Sequence, residues 1–309
     1  MEMLAAGTAF LPSARLSQCL TSMTERDNPP AGQFIEVDGI ELHYLDRGTG
    51  IPVLLLHGNG TMAQEFEISS LLGLAAGRYR VLAFDRPGYG YSGRPRGQAW
   101  SSKEQAELLS RALRKLGIER AIVVAHSWGT MVAMSLALNH PECVRSLVLL
   151  SGYYYPTPRM DVLLLSPPAI PVFGDLIRPT ISPFIGRMIW PALLRKFFSP
   201  CPVTPRWEAE FPVWMTLRPS QILASATETA LMTSEAFWLS QRYHELQLPV
   251  LIMAGTDDMH VSTKLHSERL HKELPNSKLV LAPRVGHMMH HIVPALVLET
   301  INMAAEEIP

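Results

Sequence analysis

The pattern of apolar and polar residues predicts strands and helices that alternate along most of the chain. Continuous apolar runs, typical of strands buried on both faces of a parallel sheet, occur at residues 51–56, 79–84, 121–125, 145–150, 248–255 and 277–282. Patterns with a helical period follow several of these runs, at residues 101–117, 131–138, 263–274 and 289–305. Two stretches around Asp38-Gly39 alternate apolar with polar residues and predict a β-hairpin. We therefore predict an α/β fold with a mostly parallel, eight-stranded, doubly wound sheet.

The alternation stops between residues 152 and 247, where no buried parallel strand is predicted. The stretch from Pro156 to Pro219 holds 13 of the 25 prolines, yet residues 162–165, 184–185 and 188–190 remain apolar. About 95 residues are too many for a loop in a compact domain, and so many prolines argue against long helices. We predict a core formed by residues 31–151 and 248–309, with a helical cap of short helices inserted at residues 152–247.

Composition narrows the location and the partners. Residues 1–30 contain only a short apolar run without the preceding Lys or Arg of a signal peptide, so we expect a weakly ordered leader. Three widely spaced cysteines, Cys19, Cys143 and Cys201, favour a cytoplasmic protein over a secreted one. The net charge of −1 argues against nucleic acid as a partner. No run approaches the ~20 apolar residues of a membrane span, so we expect no stable membrane insertion.

The most informative motif is Ala125-His126-Ser127-Trp128-Gly129, which ends a predicted strand and leads into a predicted helix. A serine hydroxyl becomes a useful nucleophile when it is lifted clear of its neighbours, aimed at a base and set beside N–H donors. A strained turn from strand to helix provides all three conditions. Small residues two positions before and after the serine let the backbone double back. The alternative is that Ser127 only caps the helix that follows.

This motif resembles the nucleophile elbow of the α/β-hydrolase fold family, which is usually Gly-x-Ser-x-Gly, with Ala125 in place of the first glycine. The His-Gly-Asn-Gly loop at residues 57–60 resembles the family loop that supplies one N–H of the oxyanion hole. By position, the resemblance implies the backbone N–H of Asn59 as that donor and the N–H of Trp128, after the nucleophile, as the other.

A third match is the octapeptide at residues 85–92, whose proline and glycines indicate a tight loop at the end of a strand. The family uses this loop structurally, so we expect Asp85 to hold the turn through hydrogen bonds. We likewise expect the imidazole of His57 to be buried and hydrogen-bonded because the family motif uses it to shape its loop.

The remaining members of the implied triad come from two later loops. Residues 256–260 resemble the Gly-x-x-Asp loop that carries the acid in this family, and counting from Gly255 gives Asp258, with Asp257 as the fallback. Residues 285–291 resemble the family's Gly-His loop, which makes His287 the general base. An imidazole titrates near neutral pH, so it can take the hydroxyl proton and return it to the leaving group.

A metal site is the competing interpretation of the last loop. His287, His290 and His291 have the i, i+3, i+4 spacing that places three ligands on one helical face. No acidic or cysteine ligand sits at a fixed spacing beside them, so we predict no metal and a polar edge of the closing helix for His290 and His291. The implied reaction needs no cofactor.

The resemblance implies a serine hydrolase acting through an acyl-enzyme, with a small-molecule substrate. We expect a small to medium, largely apolar carboxylic ester, by the prevalence of esters among relatives and the apolar composition of the cap. Amide cleavage, as in proline iminopeptidases, and carbon–carbon bond cleavage on the same triad stay open. Haloalkane dehalogenases and epoxide hydrolases are disfavoured because they carry aspartate where Ser127 stands. A non-catalytic ligand-binding member would lack a triad residue, and none is missing.

Overall fold

The computed structural model describes residues 2–98 and 100–306, with side chains from residue 14 onward. One sheet contains eight strands, in the order β1-β2-β4-β3-β5-β6-β7-β8. Only β2 runs against its neighbours, which confirms the predicted mostly parallel sheet and its hairpin. In chain order the strands are β1 Gln33–Val37, β2 Ile40–Arg47, β3 Pro52–Leu56, β4 Arg80–Phe84, β5 Ala121–His126, β6 Val144–Leu150, β7 Val250–Gly255 and β8 Ser277–Ala282.

Fourteen α-helices are found in the described residues, on both faces of the sheet and in the segment between β6 and β7. They are α1 Glu2–Asp27, α2 Glu65–Ile68, α3 Leu71–Ala76, α4 Ser102–Lys115, α5 Gly129–Asn139, α6 Met160–Leu165, α7 Phe173–Ile177, α8 Ser182–Phe198, α9 Pro205–Glu210, α10 Val213–Thr216, α11 Pro219–Ser240, α12 Ser267–Glu273, α13 Met289–Ile292 and α14 Pro294–Glu306.

Strand β5 lies inside the sheet and is buried along its whole length. Because successive side chains of a strand point to opposite faces, Val123 and Ala125 join the apolar cluster that includes α4 and α5, whereas Ile122 and Val124 join the cluster that includes α3 and α14. The central strand is thus held from both sides. This packing fixes the position at which β5 ends, and Ser127 follows directly.

The predicted closing helix is divided in two. A proline has no N–H to donate and disfavours the helical conformation in the residue before it. Val293 accordingly leaves the helical region (φ −130°, ψ 53°), so α13 ends before it and α14 begins at Pro294. The short helix α13 is therefore free to follow a direction of its own.

The segment between β6 and β7 is helical and contains no strand in its described residues, but its helices are not all short. Helix α11 has 22 residues and α8 has 17, so the expectation of short helices alone was wrong. Pro183 lies at the start of α8, where its missing N–H has no helical partner to lose. Pro191 lies inside α8 and removes a single backbone hydrogen bond, which the rest of the helix tolerates.

The N-terminal residues are helical. The structure describes a helix from Glu2 to Asp27 within residues 1–30, for which the sequence predicts a weakly ordered leader. Its end is held by polar contacts, because Glu25 pairs with Arg218 at the start of α11 (2.6 Å) and Tyr91 donates to the carbonyl oxygen of Asn28. Among the described helices, none combines the length and the apolar character that crossing a bilayer demands.

Candidate active site

Ser127 lies at the turn between β5 and α5, in a backbone conformation that a non-glycine residue rarely adopts (φ 51°). The neighbouring residues explain how the turn is accommodated. A Cβ added at Gly129 would lie 2.6 Å from the carbonyl oxygen of His57, and Ala125 is completely buried. Ser127 itself remains partly exposed. The small residues flanking the serine therefore allow a sharp turn that presents its hydroxyl group at the end of the sheet.

The structure brings Ser127, His287 and Asp258 together from the ends of three different segments. The hydroxyl Oγ of Ser127 lies 2.9 Å from Nε2 of His287, and Nδ1 of His287 lies 2.8 Å from Oδ2 of Asp258. Asp257 is exposed, and its carboxylate accepts a hydrogen bond from the hydroxyl of Thr256 instead. With Nδ1–H donating to the carboxylate, Nε2 presents its lone pair to the serine hydroxyl.

Three groups orient the carboxylate of Asp258. Its Oδ1 accepts hydrogen bonds from the backbone N–H of His260 (2.8 Å) and of Val261 (2.9 Å), while Oδ2 accepts from His287. Burial acts to raise the pKa of Asp258, but the nearby His287 and these N–H donors outweigh burial and lower the pKa below its usual value. The carboxylate is therefore held ionised in an orientation that suits the imidazole.

The loop after β3 contacts the serine closely. A Cβ added at Gly58 would lie 3.2 Å from Cβ of Ser127 and 3.0 Å from Nδ1 of His126, so a larger residue would push against the serine turn. Within the described residues, the backbone N–H groups of Asn59 and Trp128 make no hydrogen bond. Two unpaired N–H donors thus flank the nucleophile candidate, as an oxyanion hole requires.

The residues expected to shape these loops are confirmed in that role. Asp85 accepts hydrogen bonds from the N–H groups of Ala63 (2.8 Å) and Tyr91 (2.9 Å) and lies 2.7 Å from Nδ1 of His43. His57 is fully buried: its Nδ1 donates to the carbonyl oxygen of Gly58, and its Nε2 accepts from the N–H of Arg86. Neither side chain is directed at the serine.

Sequence reasoning missed a buried ion pair beside this loop. The guanidinium of Arg86 donates to the carbonyl oxygens of His57 and Gly58 (2.9 Å each) and pairs with Glu228 of α11, both side chains being fully buried. Asn59 also donates from its side chain to the carbonyl oxygen of Ser225 and to Thr229. Helix α11 therefore holds the loop that carries one of the two N–H donors. The only signal in the sequence for the role of Arg86 in this ion pair is its position directly after Asp85, in the tight loop at residues 85–92.

The apolar residues of the segment over the site fall into two groups. Phe198 is buried against Trp207, and the ring of Phe197 lies 6.0 Å from that of His287. By contrast, Leu164 and Met188 are exposed to solvent by 73% and 75%. A cavity of 660 Å³ lies beside Asp258, which is part of its lining. The basic side chains Arg159, Lys196 and Lys264 also line it.

His290 and His291 do not form the polar edge that the sequence predicted. Both are buried, with exposed fractions of 0% and 7%, because α13 turns inward beneath the serine. Nor do they share a ligand set with His287, whose two ring nitrogens face Asp258 and Ser127. Burial, and after it the neighbouring His287, lower the pKa of His290 to about 3. After β8, His287 is thus hydrogen-bonded at the candidate site, whereas His290 and His291 point into the core.

Comparison with known proteins agrees with this architecture. Over 82% of the chain, it is 28% identical to haloalkane dehalogenase 2 of Mycobacterium tuberculosis, covering 87% of that protein. Over 82% it is 30% identical to the putative carbamate hydrolase RutD of Azorhizobium caulinodans, covering 91% of it. The structure resembles that of the meta-cleavage product hydrolase CumD of Pseudomonas fluorescens, with a TM-score of 0.70 at 22% identity over 90% of this chain and all of that one.

The family model described as the alpha/beta hydrolase fold matches residues 51–292. This range contains β3 to β8, the loop at residues 57–60 and α13, so it includes Ser127, Asp258, His287 and the two candidate N–H donors. Since the match covers well over half of the chain, the protein belongs to the α/β hydrolase fold family.

Proposed function

We propose that this hydrolase is a serine hydrolase that cleaves small to medium, largely apolar carboxylic esters. The observation that carries the proposal is the unbroken chain of contacts from Ser127 through His287 to Asp258, at 2.9 and 2.8 Å. Two unpaired backbone N–H groups beside the serine, those of Asn59 and Trp128, support it further.

The reaction follows from this geometry. As Ser127 Oγ attacks the carbonyl carbon, its proton passes to Nε2 of His287, and the carbonyl oxygen becomes an oxyanion beside the two N–H groups. The imidazolium then gives the proton to the departing alkoxide, which leaves as the alcohol. Water, deprotonated by the same imidazole, attacks the acyl-serine and releases the carboxylic acid. Asp258 stabilises the imidazolium and keeps the ring in the tautomer that each transfer needs.

The dehalogenase likeness does not extend to the nucleophile. If Ser127 displaced a halide from an alkyl carbon, the product would be an ether between serine and substrate. Water does not cleave an ether under these conditions, so the enzyme would be consumed in one turnover. A carboxylate nucleophile would instead form an ester that water can cleave. The side chain at the elbow therefore favours acyl transfer.

The ester preference rests on the balance of groups near the site. The aromatic ring of Phe197 faces His287, and the apolar cluster beneath it includes Met62 and Met288. Each methylene buried against such a surface contributes about 0.8 kcal/mol. The 660 Å³ cavity is lined by acidic as well as basic side chains, and its lining includes Asp258 but not Ser127, so we do not assign the acyl group to it.

A second candidate is cleavage of a carbamate or another amide-type bond. The RutD relative, at 30% identity over most of both chains, favours this chemistry. The same steps apply, except that His287 must protonate a nitrogen leaving group. Carbon–carbon bond cleavage also uses this triad, but the likeness to CumD at 22% identity supports only the fold.

The nucleophile is tested by labelling with a fluorophosphonate and by the Ser127→Ala variant. We expect one adduct, at Ser127, and a loss of kcat of about 10⁴-fold or more in the variant. Ser70→Ala is a matched control because Ser70 also has a positive φ (67°) yet lies on an exposed turn. Labelling of another serine, or equal activity in the two variants, would refute the proposal.

The substrate class is tested by kcat/KM for p-nitrophenyl esters from acetate to decanoate, a succinate half-ester, aminoacyl amides, a carbamate and a vinylogous diketone. A rise over the first few methylenes with poor use of the succinate supports the apolar ester. Faster turnover of the carbamate or the diketone would transfer the assignment to the corresponding alternative while leaving the nucleophile unchanged.

A further inference from the structure

Behind the serine lies a closed group of polar side chains that the proposed reaction does not use. We call it the Glu65 cluster: Glu65 at the start of α2, His290 and His291 of α13, and His126 at the end of β5. Within the described part of the chain, seven of its atoms are buried without a hydrogen-bond partner of normal geometry, namely Glu65 Oε1 and Oε2, His126 Nδ1, and both ring nitrogens of His290 and His291. Thr61 and the backbone of Gly58 lie near Glu65 and act to lower its pKa against the raising effect of burial. An unpaired buried polar atom costs about 1–3 kcal/mol, so this cluster calls for a ligand.

The tautomer of His126 shows what kind of ligand is needed. Its Nε2 lies 3.1 Å from the carbonyl oxygen of His287, so this nitrogen carries the hydrogen. In the neutral ring Nδ1 is then a lone pair, and it faces Oε1 of Glu65 at 4.0 Å. Two acceptors thus face each other across a gap that is too long for a hydrogen bond. A positively charged group between them would satisfy both.

The charge balance excludes the neighbouring side chains as that group. Arg86 is engaged by Glu228 and by two carbonyl oxygens. The rings of Phe66, Phe198 and Trp207 enclose the histidines instead. Burial raises the pKa of the Glu65 carboxyl, and the nearby His126 and Arg86 only partly offset that effect, so the group has no counter-charge in direct contact. A divalent cation supplies the charge and accepts the lone pairs at the same time.

We propose that Glu65, His290 and His291 bind a divalent transition-metal ion, with Zn²⁺ as the best match. One ligand atom from each of these residues lies within 4.8 Å of the others, and all three are buried. Tetrahedral Zn²⁺ with nitrogen and oxygen ligands holds them about 3.3 Å apart, so metal binding would draw the three ligand atoms closer together by rotation of their side chains. Nδ1 of His126 faces the remaining position.

This set differs from the trio considered in the sequence, because the acidic ligand comes from a helix 225 residues before His290. His290 to Glu65 is the shortest approach within it, at 3.7 Å between Nε2 and Oε1. A metal at this place would not touch the substrate. It would join α2 to α13, directly after the loop of His287, and hold His126 against the carbonyl oxygen of His287. Its role is structural, in positioning the base.

The site is tested on the full chain without a polyhistidine tag, produced in medium supplemented with zinc. We expect elemental analysis to find about one Zn²⁺ per chain, and we expect excess EDTA during thermal unfolding to lower Tm by about 5 °C or more, with recovery on adding Zn²⁺. The near-isosteric Glu65→Gln and His290→Asn should each lose the metal. The control is His244→Ala, because His244 is exposed and distant from the cluster.

Protein produced with Co²⁺ in place of Zn²⁺ provides a readout that needs no variant, since four-coordinate Co²⁺ absorbs visible light strongly. Metal below about 0.1 per chain, with no effect of EDTA on Tm, would overturn the inference in favour of buried water. Metal retained in both cluster variants but lost from His244→Ala would overturn it in favour of adventitious surface binding. These outcomes leave the test of Ser127 as nucleophile unaffected.

Discussion

The sheet core and the segment over it are built in opposite ways. In the core, Leu147 and its neighbours on β6 are fully buried, and the apolar residues of α5 pack against the sheet. In the cap segment, Leu163, Leu164 and Met188 expose more than two thirds of their surface. The core therefore buries its apolar residues almost completely, whereas the cap packs only part of its apolar residues, such as Phe198 and Trp207, and leaves others exposed.

This difference separates two tasks. The side chains of the proposed catalytic triad, Ser127, Asp258 and His287, all come from loops that follow core strands. The cap contributes none of them, but α11 reaches the core through Glu228 and through the partners of Asn59. The core strands fix the positions of the three proposed reacting side chains. The cap, through α11, holds the loop that would bind the oxyanion. Changes in the core should therefore affect chemistry, and changes in the cap should affect fit.

The largest expected effect concerns the core and decides between the two aspartates. Asp258→Asn should lower kcat by about 10⁴-fold because the amide donates to Nδ1 and favours the wrong tautomer of His287. Asp257→Asn is the matched control, and its kcat should fall by less than about threefold, since its exposed side chain contacts only Thr256. Steady-state kinetics on one ester measures both. Equal losses in the two variants would refute the assignment.

The next effect lies at the junction of core and cap. Glu228→Gln keeps the volume but leaves the buried Arg86 without a counter-charge, so the free energy of unfolding should fall by about 3–5 kcal/mol. Glu235→Gln on the same helix is the control, because Glu235 accepts hydrogen bonds from Ser102 and faces no buried cation. Urea denaturation measures both. A loss below about 1 kcal/mol in Glu228→Gln would show that the pair does not connect the two regions.

The third effect is a pH dependence of the free energy of unfolding. It arises from His266, which contacts the first residues after β6. His266 accepts hydrogen bonds at Nδ1 from the N–H groups of Tyr154 and Tyr155, and burial, followed by the charge of Arg159, lowers its pKa to about 4. The unfolded chain binds this proton near pH 6.5, so it holds more protons than the folded chain between these values. Stability should therefore fall as pH drops from 6.5 to 4, by about 3 kcal/mol from this residue.

The measurement is the free energy of unfolding across that pH range in the unaltered protein and in His266→Gln. The variant should show a shallower decline, whatever its stability at pH 7. His244→Gln, which alters an exposed histidine, should keep the original slope. Parallel curves for His266→Gln and the unaltered protein would contradict the role assigned to His266.

The smallest effect is expected for an exposed leucine of the cap, in comparison with a buried leucine of the core. Leu164→Ala, at a residue exposed by 73%, should change the free energy of unfolding by less than about 0.5 kcal/mol. Leu147→Ala, the same substitution in the buried core, should cost about 2–5 kcal/mol. Urea denaturation at two protein concentrations measures both. A cost above about 2 kcal/mol for Leu164→Ala would mean that another surface covers this part of the cap.

The sequence predicted the core well because its signals are local. Apolar runs mark buried strands, and the resemblance of the loops after β5, β7 and β8 to motifs of the hydrolase family implied that Ser127, Asp258 and His287 come together. The counting from Gly255 could rank Asp258 above Asp257, but only the fold brings its carboxylate to the imidazole.

The rest depended on pairings that no local pattern encodes. Arg86 and Glu228 are 142 residues apart, and Glu65 meets His290 only because α2 and α13 pack behind the same strand end. The inward direction of α13 follows from the break at Pro294, which a helical period does not reveal. In the cap, the number of prolines predicts short helices, although the effect of each proline depends on where in a helix it falls.

One backbone hydrogen bond joins the cap directly to His287, the proposed base. The backbone N–H of His287 donates to the carbonyl oxygen of Phe197, in the last turn of α8 (3.1 Å), and a Cβ at Gly286 would collide with the carbonyl oxygen of Ser199. If α8 moved away from the core at this corner, it would pull on the loop that aligns the imidazole. We therefore expect α8 to stay attached at this corner in any movement of the cap, and substrate to enter at another edge. His287, the proposed base, would then keep its alignment.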